Sequence, residues 1–150
     1  HRLGLLLVGE GPERSRLEQL AAVLNLGDSI RFLGWRKDIP QLLSLMDVFV
    51  LPSDSEGTSL SLLEALASET AVVATAVGGT PDVLGSPPAG LLVPPGDLEA
   101  LVAAIGGLLR NPDHRRVLGA SGRSRVSERY SFEAMADAYQ SLYEQIVSAA

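Results

Sequence analysis

Short apolar runs alternate with helix-like segments along almost the whole chain, and this alternation constrains the fold more than any other feature. Five such runs predict buried strands: "LGLLLVG" from Leu3, "SIRFLG" from Ser29, "VFVLPS" from Val48, "TAVVAT" from Thr70 and "GLLVPPGD" from Gly90. The segments between them, and the stretch after Asp97, carry apolar residues at helical spacing. Strands that are apolar on both faces are typical of parallel sheets covered by helices on both sides. The sequence therefore predicts an α/β fold with a doubly wound parallel sheet.

Several residues mark the expected boundaries and faces of the helices. Gly27 follows the first helical segment and is predicted to be its C′ residue. Asp38 is the candidate N-cap of a short helix with Pro40 in its first turn. Near the C-terminus, five arginines alternate with apolar residues and predict a solvated helix face: Arg115, Arg116, Arg123, Arg125 and Arg129.

The composition limits the classes of function to consider. A length of 150 residues suggests one domain over residues 1–150. The formal net charge of −6 argues against binding to nucleic acid, although backbone amides can still bind a small anion. The chain has no cysteine, and His1 and His114 are isolated, so neither a disulfide nor a metal site is expected. No apolar run approaches the roughly 18 residues of a membrane span.

Two glycine-containing loops follow predicted strands, and ligands of Rossmann-like sheets bind at the carboxyl ends of the strands. Gly9 and Gly11 resemble the beginning of a dinucleotide-binding fingerprint, but Arg14 stands where the third glycine would be. Gly78 and Gly79 precede a short helix in a turn suited to phosphate. A plain turn is the alternative for both loops.

The loop after the second strand, "GWRKDIP", offers groups that could recognise a nucleotide base. Trp35 could stack on a ring, and Arg36 and Asp38 could hydrogen-bond the polar edges of a base. Helix capping is the alternative role for Asp38.

The loop after the third strand, "SDSEGTSLSLLEALA", gives the most specific signal. A helix N-terminus offers unpaired N–H groups and a partial positive charge, and the Gly-Thr-Ser run at 57–59 lets a ligand approach the backbone. Together these features suit a diphosphate. The carboxylates of Glu56 and Glu64 accept hydrogen bonds only, so they suit hydroxyl groups rather than phosphate. A nucleoside diphosphate sugar, with a sugar ring on each side of the diphosphate, fits this pattern.

Both glutamates also have structural alternatives. Ser61 and Glu64 match the spacing of a capping box, which would make Glu64 purely structural. Glu56 could be a solvated acid of the loop.

The order of these motifs resembles the C-terminal domain of the group 1 glycosyltransferases, retaining enzymes with the two-domain GT-B fold. The resemblance covers nearly the whole chain, through "LLLVGEGPERSRLEQLA", "IRFLGWRKDIPQLLSLMDVFVLPSDSEGTSLSLLEALAS", "AVVATAVGGTPDVL", "GLLVPPGDLEALVAAI" and "YSF…YQSLYEQI". The hallmark of the family is an acidic pair separated by seven residues, which Glu56 and Glu64 match.

The resemblance implies a role for each matching residue. Glu64 would hydrogen-bond the ribose hydroxyls of a nucleotide sugar, and Glu56 would face the transferred sugar as the catalytic residue. The other implied contacts are Gly57, Thr58, Ser59 and Leu60 at the diphosphate and Arg36 and Asp38 beside the base. Transfer would retain the anomeric configuration without a metal ion or other cofactor. The leaving phosphate would help to deprotonate the acceptor, and Glu56 as a covalent nucleophile is the competing mechanism.

The family pattern also includes parts that come before the segment matched here. A central strand with a Gly-Arg turn, a Lys that joins this Arg in neutralising the diphosphate, and an N-terminal acceptor-binding domain precede the position of Arg2. The chain starts at His1 within a strand pattern, so we expect a truncated piece that is inactive by itself. Strands that lack their central neighbour would leave backbone groups unpaired, so strand exchange or dimerisation of the piece is a further expectation.

Two other functions stay open. A nucleotide-sugar epimerase of the same fold would need further acids and a His near the sugar, and this chain offers no suitable His. A non-catalytic module that binds nucleotide sugars would need none of these groups. The predicted location is cytoplasmic, and peripheral membrane association of the complete enzyme stays open.

Overall fold

The computed structural model describes residues 3–148, and its elements alternate in the order that the sequence predicts. The strands are β1 Leu5–Val8, β2 Ile30–Gly34, β3 Val48–Leu51, β4 Ala71–Thr75 and β5 Leu91–Val93. The helices are α1 Arg14–Val23, α2 Ile39–Leu43, α3 Leu60–Ala67, α4 Thr80–Leu84, α5 Leu98–Arg110, α6 Pro112–Arg129 and α7 Phe132–Ser148, and a 3₁₀ turn spans Gly27–Ser29. The five predicted strands and the Rossmann-like α/β class are confirmed.

The strands form two parallel sheets in two compact units. β1 pairs with β2 in the first unit, which ends at Ile39. β3, β4 and β5 pair in that order in the second unit, which begins at Pro40. Within each sheet, strands that follow one another in the chain are direct neighbours. The single domain over residues 1–150 stays a prediction.

The core of the second unit is built around β4, which has a strand partner on each side. Its five residues are all at most 4% exposed. Successive side chains of a strand point to opposite faces. Val73 packs in a cluster with Leu108 of α5, whereas Val72 and Leu84 of α4 both lie against Gly90. Helices therefore cover both faces of this sheet, which explains why the strand is apolar throughout.

Helix α1 ends at a different residue from the one expected. Asn25 is its C′ residue, with a φ of 52° and an N–H that donates to the carbonyl of Ala22. The N–H of Leu26 donates to the carbonyl of Ala21, which completes a Schellman motif. Gly27 starts the 3₁₀ turn instead, so the prediction for Gly27 is wrong. Asparagine tolerates the left-handed backbone conformation, and Asn25 precedes Gly27 in the chain, so the C′ position falls on Asn25.

The arginines of α6 do not form a uniformly solvated face. Arg115 donates to two carbonyl groups at the end of α5 and to Asp47. Arg125 donates to the carbonyls of Asp82 and Val83 in α4. The prediction is wrong for these two residues because a guanidinium group can satisfy carbonyl groups at the ends of neighbouring helices.

Candidate functional site

The N-terminus of α3 is capped by a serine and leaves two amides without partners in the helix. Ser59 has extended backbone geometry, and its side chain accepts a hydrogen bond from the N–H of Leu62 at 3.4 Å. The first two helical residues are Leu60 and Ser61, whose N–H groups have no intrahelical acceptor. The helix dipole adds a partial positive charge at this point. The helix N-terminus on which the predicted diphosphate site depends is therefore present, and the binding of an anion there stays a prediction.

Glu64 lies on the exposed side of α3. It follows Leu60 by one helical turn, and Leu60 is 74% exposed. The opposite side is fully buried and consists of Leu62, Ala65 and Leu66. The structural alternative for Glu64, a capping box with Ser61, is wrong, because the helix begins earlier and Ser59 is its cap. The carboxylate of Glu64 is thus not used to start the helix.

Glu56 is half-buried and is held by hydrogen bonds within its own loop. The hydroxyl of Ser53 donates to Oε1 of Glu56 at 2.7 Å. The hydroxyl of Thr75, at the end of β4, donates to the carbonyl oxygen of Ser53 at 2.5 Å. The alternative of a freely solvated loop acid is wrong, because the side chain has a defined partner and is partly shielded.

The glycine turn after β4 packs directly against the loop that carries Glu56. The N–H of Gly79 donates to the carbonyl of Gly57 at 3.1 Å. Gly78 has a φ of 51°, and a Cβ at this position would collide with the backbone carbonyl of Glu56. The structure therefore brings Glu56, Gly57, Gly78 and Gly79 together, and both glycines of the turn hold the loop in place.

Gly57 has open space above its backbone. Apart from Gly57 itself and its two neighbours in the chain, no described residue has an atom within 4 Å of the position that a Cβ on Gly57 would take. Gly11, in the first unit, is equally open. Neither residue needs to be glycine for the packing described, so close approach of a ligand remains the reason that the sequence suggests for both.

The loop after β2 contains a two-pronged ion pair. Nε and Nη2 of Arg36 donate to the two carboxylate oxygens of Asp38 at 2.8 and 2.6 Å. These hydrogen bonds hold the pKa of Asp38 below its ordinary value and raise the pKa of Arg36. The two residues proposed to recognise a base are thus brought together. The side chain of Asp38 binds Arg36, whereas its alternative role was to cap the following helix.

The loops after β1 and β2 share a backbone hydrogen bond. The N–H of Gly9 donates to the carbonyl oxygen of Gly34 at 2.8 Å. Both residues have positive φ angles, 123° for Gly9 and 64° for Gly34, which glycine adopts most readily. This bond fixes the point at which the Gly9–Gly11 turn leaves the sheet.

Residues 3–148 offer neither a cluster of metal-ligating side chains nor a helix suited to a membrane. No group of three or more His, Asp or Glu side chains in this range could hold a metal ion. His1 lies outside the described residues. None of the described helices combines the length and hydrophobicity that crossing a membrane requires.

Ser53 and Thr75 are the site residues that the sequence reasoning missed. Both residues end predicted strand segments, "VFVLPS" and "TAVVAT", but neither is among the predicted site residues. The connection between them depends on the β3–β4 register, in which Leu51 lies opposite Ala74. Two hydroxyl residues at the carboxyl ends of neighbouring parallel strands, one within β4 and one two residues after β3, indicate such a contact, because these strand ends meet at one edge of the sheet.

A sequence model of the family described as "Glycosyl transferases group 1" matches residues 1–125 of the chain. The N-acetyl-alpha-D-glucosaminyl L-malate synthase of Bacillus anthracis is 33% identical over 143 residues, which cover 95% of this chain and 38% of that protein.

Two solved structures show the same architecture. Sucrose-phosphate synthase from Thermosynechococcus elongatus superimposes with a TM-score of 0.85 and 39% identity, over 97% of this chain and 39% of that one. Anabaena Alr3699/HepE, in complex with UDP-glucose, superimposes with a TM-score of 0.83 and 25% identity, over 97% of this chain and 41% of that one. This chain therefore spans less than half the length of each of these three proteins.

Proposed function

This chain belongs to the group 1 glycosyltransferase family, and from that premise we propose that it binds the nucleotide-sugar donor of a retaining glycosyltransferase. The observation that carries the proposal is the geometry around α3. The N-terminus of α3 follows a half-buried Glu56 in the chain and precedes an exposed Glu64 by one turn. Dipoles for a diphosphate and acceptors for sugar hydroxyls are thus present on one short segment.

We assign the diphosphate to the first turn of α3 and the residues before it. The N–H groups of Leu60 and Ser61 have no helical acceptor, and Thr58 and Ser59 precede them in the chain. The open space over Gly57 leaves room for phosphate oxygens beside the backbone. The similarity to Anabaena Alr3699/HepE, which was solved with UDP-glucose, supports this class of ligand.

We assign the two glutamates to the two sugar rings. Glu64 is exposed one turn inside α3, where its carboxylate can accept hydrogen bonds from the ribose hydroxyls. Glu56 precedes the helix and is oriented by Ser53, so it is assigned to the transferred sugar. The family pattern alone assigns Arg36, Asp38, Gly9 and Gly11 to the nucleotide.

The proposed reaction is a front-face transfer. The bond between the anomeric carbon and the diphosphate oxygen breaks while the acceptor hydroxyl attacks from the same face, and its proton passes to the leaving phosphate. The dipole of α3 stabilises the charge that develops on the leaving group. Glu56 stabilises the positive charge that develops on the sugar, and a covalent intermediate on Glu56 is the competing route. No metal ion takes part, and an acceptor-binding domain of the complete protein supplies the second substrate.

Substitution of Glu56 tests this role in the full-length protein. Glu56→Gln keeps the size of the side chain and its acceptor oxygen for Ser53 but removes the charge. We expect kcat to fall by about 100-fold or more, because an oriented charge beside the reacting carbon is lost. Turnover of the nucleotide sugar and NMR of the anomeric proton of the product are the measurements.

Asp54→Asn is the matched control, since Asp54 is an exposed acid of the same loop. It should keep wild-type turnover, and the wild-type product should have the anomeric configuration of the donor. Wild-type turnover in Glu56→Gln would remove the role of Glu56, and an inverted product would refute retention.

A further inference from the structure

A buried threonine at the end of β4 is connected to Glu56 through two hydrogen bonds. Thr75 is 4% exposed, and its Oγ1 lies 2.5 Å from the carbonyl oxygen of Ser53 and 3.3 Å from that of Leu51. The hydroxyl of Ser53 in turn donates to Oε1 of Glu56 at 2.7 Å. The connection thus runs from the central strand of the second unit to the acid of the loop.

These bonds begin where the regular strand pairing ends. The β3–β4 ladder closes with Leu51 opposite Ala74, and Thr75 is the next residue of β4. Pro52 follows Leu51 and has no backbone N–H, so the chain cannot continue the ladder with a backbone donor there. The hydroxyl of Thr75 supplies a donor from the other strand, and the departing loop is held by a rigid, buried element.

We propose that Thr75 is a positioning residue that acts through Ser53 on the carboxylate of Glu56. Thr75 fixes the backbone of Ser53, and the hydroxyl of Ser53 fixes the orientation of Glu56. The hydrogen bond occupies Oε1 and leaves Oε2 as the oxygen directed at a ligand. The inference rests on the proposed function, since it assumes that Glu56 faces the transferred sugar.

A second threonine provides a matched comparison at the other end of the same strand. Thr70 directly precedes β4, is also 4% exposed, and donates from Oγ1 to the carbonyl oxygen of Leu43 at 3.1 Å. Thr70→Val and Thr75→Val each remove one buried hydroxyl without changing the size of the side chain. Only Thr75 is connected to Glu56, so a purely structural role predicts similar effects for both variants.

The test measures kcat and donor KM in the full-length protein for Thr75→Val, Thr75→Ser and Thr70→Val, together with the melting temperature of each. We expect Thr75→Val to lower kcat by roughly 10- to 100-fold with less than about a threefold change in donor KM, because a small displacement of a catalytic group affects turnover strongly. Thr75→Ser, which keeps the hydroxyl, should restore kcat to within about threefold of wild type. Thr70→Val should lower the melting temperature but keep kcat within about twofold of wild type.

A double variant identifies the route of the effect. In the Glu56→Gln background, Thr75→Val should change kcat by less than about twofold, because two residues that act through one group are not additive. Ser53→Ala breaks the second bond without altering the core, and it should lower kcat as Thr75→Val does. It therefore tests the inference even if Thr75→Val does not fold.

The outcomes separate this inference from the proposed function. Wild-type turnover in Glu56→Gln would reject the role of Glu56 itself, and the positioning role of Thr75 with it. A strong loss in Glu56→Gln combined with full activity in Thr75→Val and Ser53→Ala would reject the positioning role alone. Equal losses of kcat in Thr75→Val and Thr70→Val, or a full additional loss in the double variant, would also overturn it.

Discussion

Two glycines beside Glu56 have opposite packing environments. Gly78 has a positive φ, and any Cβ there would meet the backbone carbonyl of Glu56. At Gly57, no described residue other than its two neighbours in the chain has an atom within 4 Å of the position of a Cβ. The packing therefore requires glycine at Gly78 but not at Gly57.

The substitution Gly78→Ala should destabilise the protein, and Gly57→Ala should not. We expect Gly78→Ala to lower the free energy of unfolding by about 1–3 kcal/mol, since it adds backbone strain and displaces the adjoining loop. Gly57→Ala should stay within about 1 kcal/mol of wild type because its backbone and surroundings accept a methyl group. Urea-induced unfolding of the full-length proteins gives both values. Equal destabilisation by the two substitutions would contradict the packing difference.

At the residue scale, the two acids can be recognised in the sequence, whereas the hydroxyl groups hydrogen-bonded around Glu56 cannot. Glu56 and Glu64 can be recognised by their spacing and by the helix start between them. Ser53 and Thr75 are hard to predict because their hydrogen bonds depend on the register of two strands distant in the chain. The spacing of Ser61 and Glu64 allows a capping box as an alternative, but Ser59 caps the helix instead, and spacing alone does not show which serine lies at the helix end.

At the scale of elements, the short helix α4 is held at both ends. Its N-terminal turn is fixed by the hydrogen bond from Gly79 to the loop that carries Glu56. At its other end, Nε and Nη2 of Arg125 donate to the carbonyls of Val83 and Asp82 at 2.6 and 2.8 Å. These carbonyls belong to a helix too short to satisfy them internally. Helix α6 therefore supports the glycine turn through α4.

Removal of this support should have a measurable cost. We expect Arg125→Ala to lower the free energy of unfolding by about 1–3 kcal/mol, because partly buried carbonyl groups lose charged donors. Arg123→Ala is the control on the same helix, because Arg123 forms a surface ion pair with Glu69 at 3.2 Å. Exposed pairs of this kind contribute about 0–1 kcal/mol. Chemical denaturation of both variants checks the prediction, and an Arg125→Ala protein as stable as Arg123→Ala would contradict it.

The elements themselves can be predicted well from this sequence, and their ends and faces less well. The five strands are short apolar runs bounded by Gly, Pro or polar residues, so their positions follow from the pattern. The end of α1 differs from the prediction because Asn25, two residues before Gly27, already has a left-handed backbone conformation. The hydrogen bonds of Arg115 and Arg125 do not follow from the sequence. Periodicity shows on which face of α6 a residue lies, but not which carbonyl groups its long side chain can reach.

For the whole molecule, family membership and site geometry lead to the same function. The family model covers residues 1–125, and that range contains every residue assigned to the nucleotide sugar. The chain spans 38% of the length of the Bacillus anthracis relative, so the acceptor side of the reaction stays a proposal for the complete protein. The donor side can be tested directly.

Calorimetric titration of the full-length protein with UDP-, GDP- and ADP-sugars is the most direct test of donor binding at α3. We expect the wild-type protein to bind one of these donor classes and Glu64→Ala to bind it at least about tenfold more weakly, a loss of about 1.4 kcal/mol. Asp113→Ala is the control, because it also removes one carboxylate, but at the start of α6. Asp113 is next to Pro112, which lines a cavity together with Thr70 at the start of β4. This variant should bind the donor like wild type. Failure of the wild-type protein to bind any of the donors, or equal binding by Glu64→Ala and wild type, would contradict donor binding at this helix.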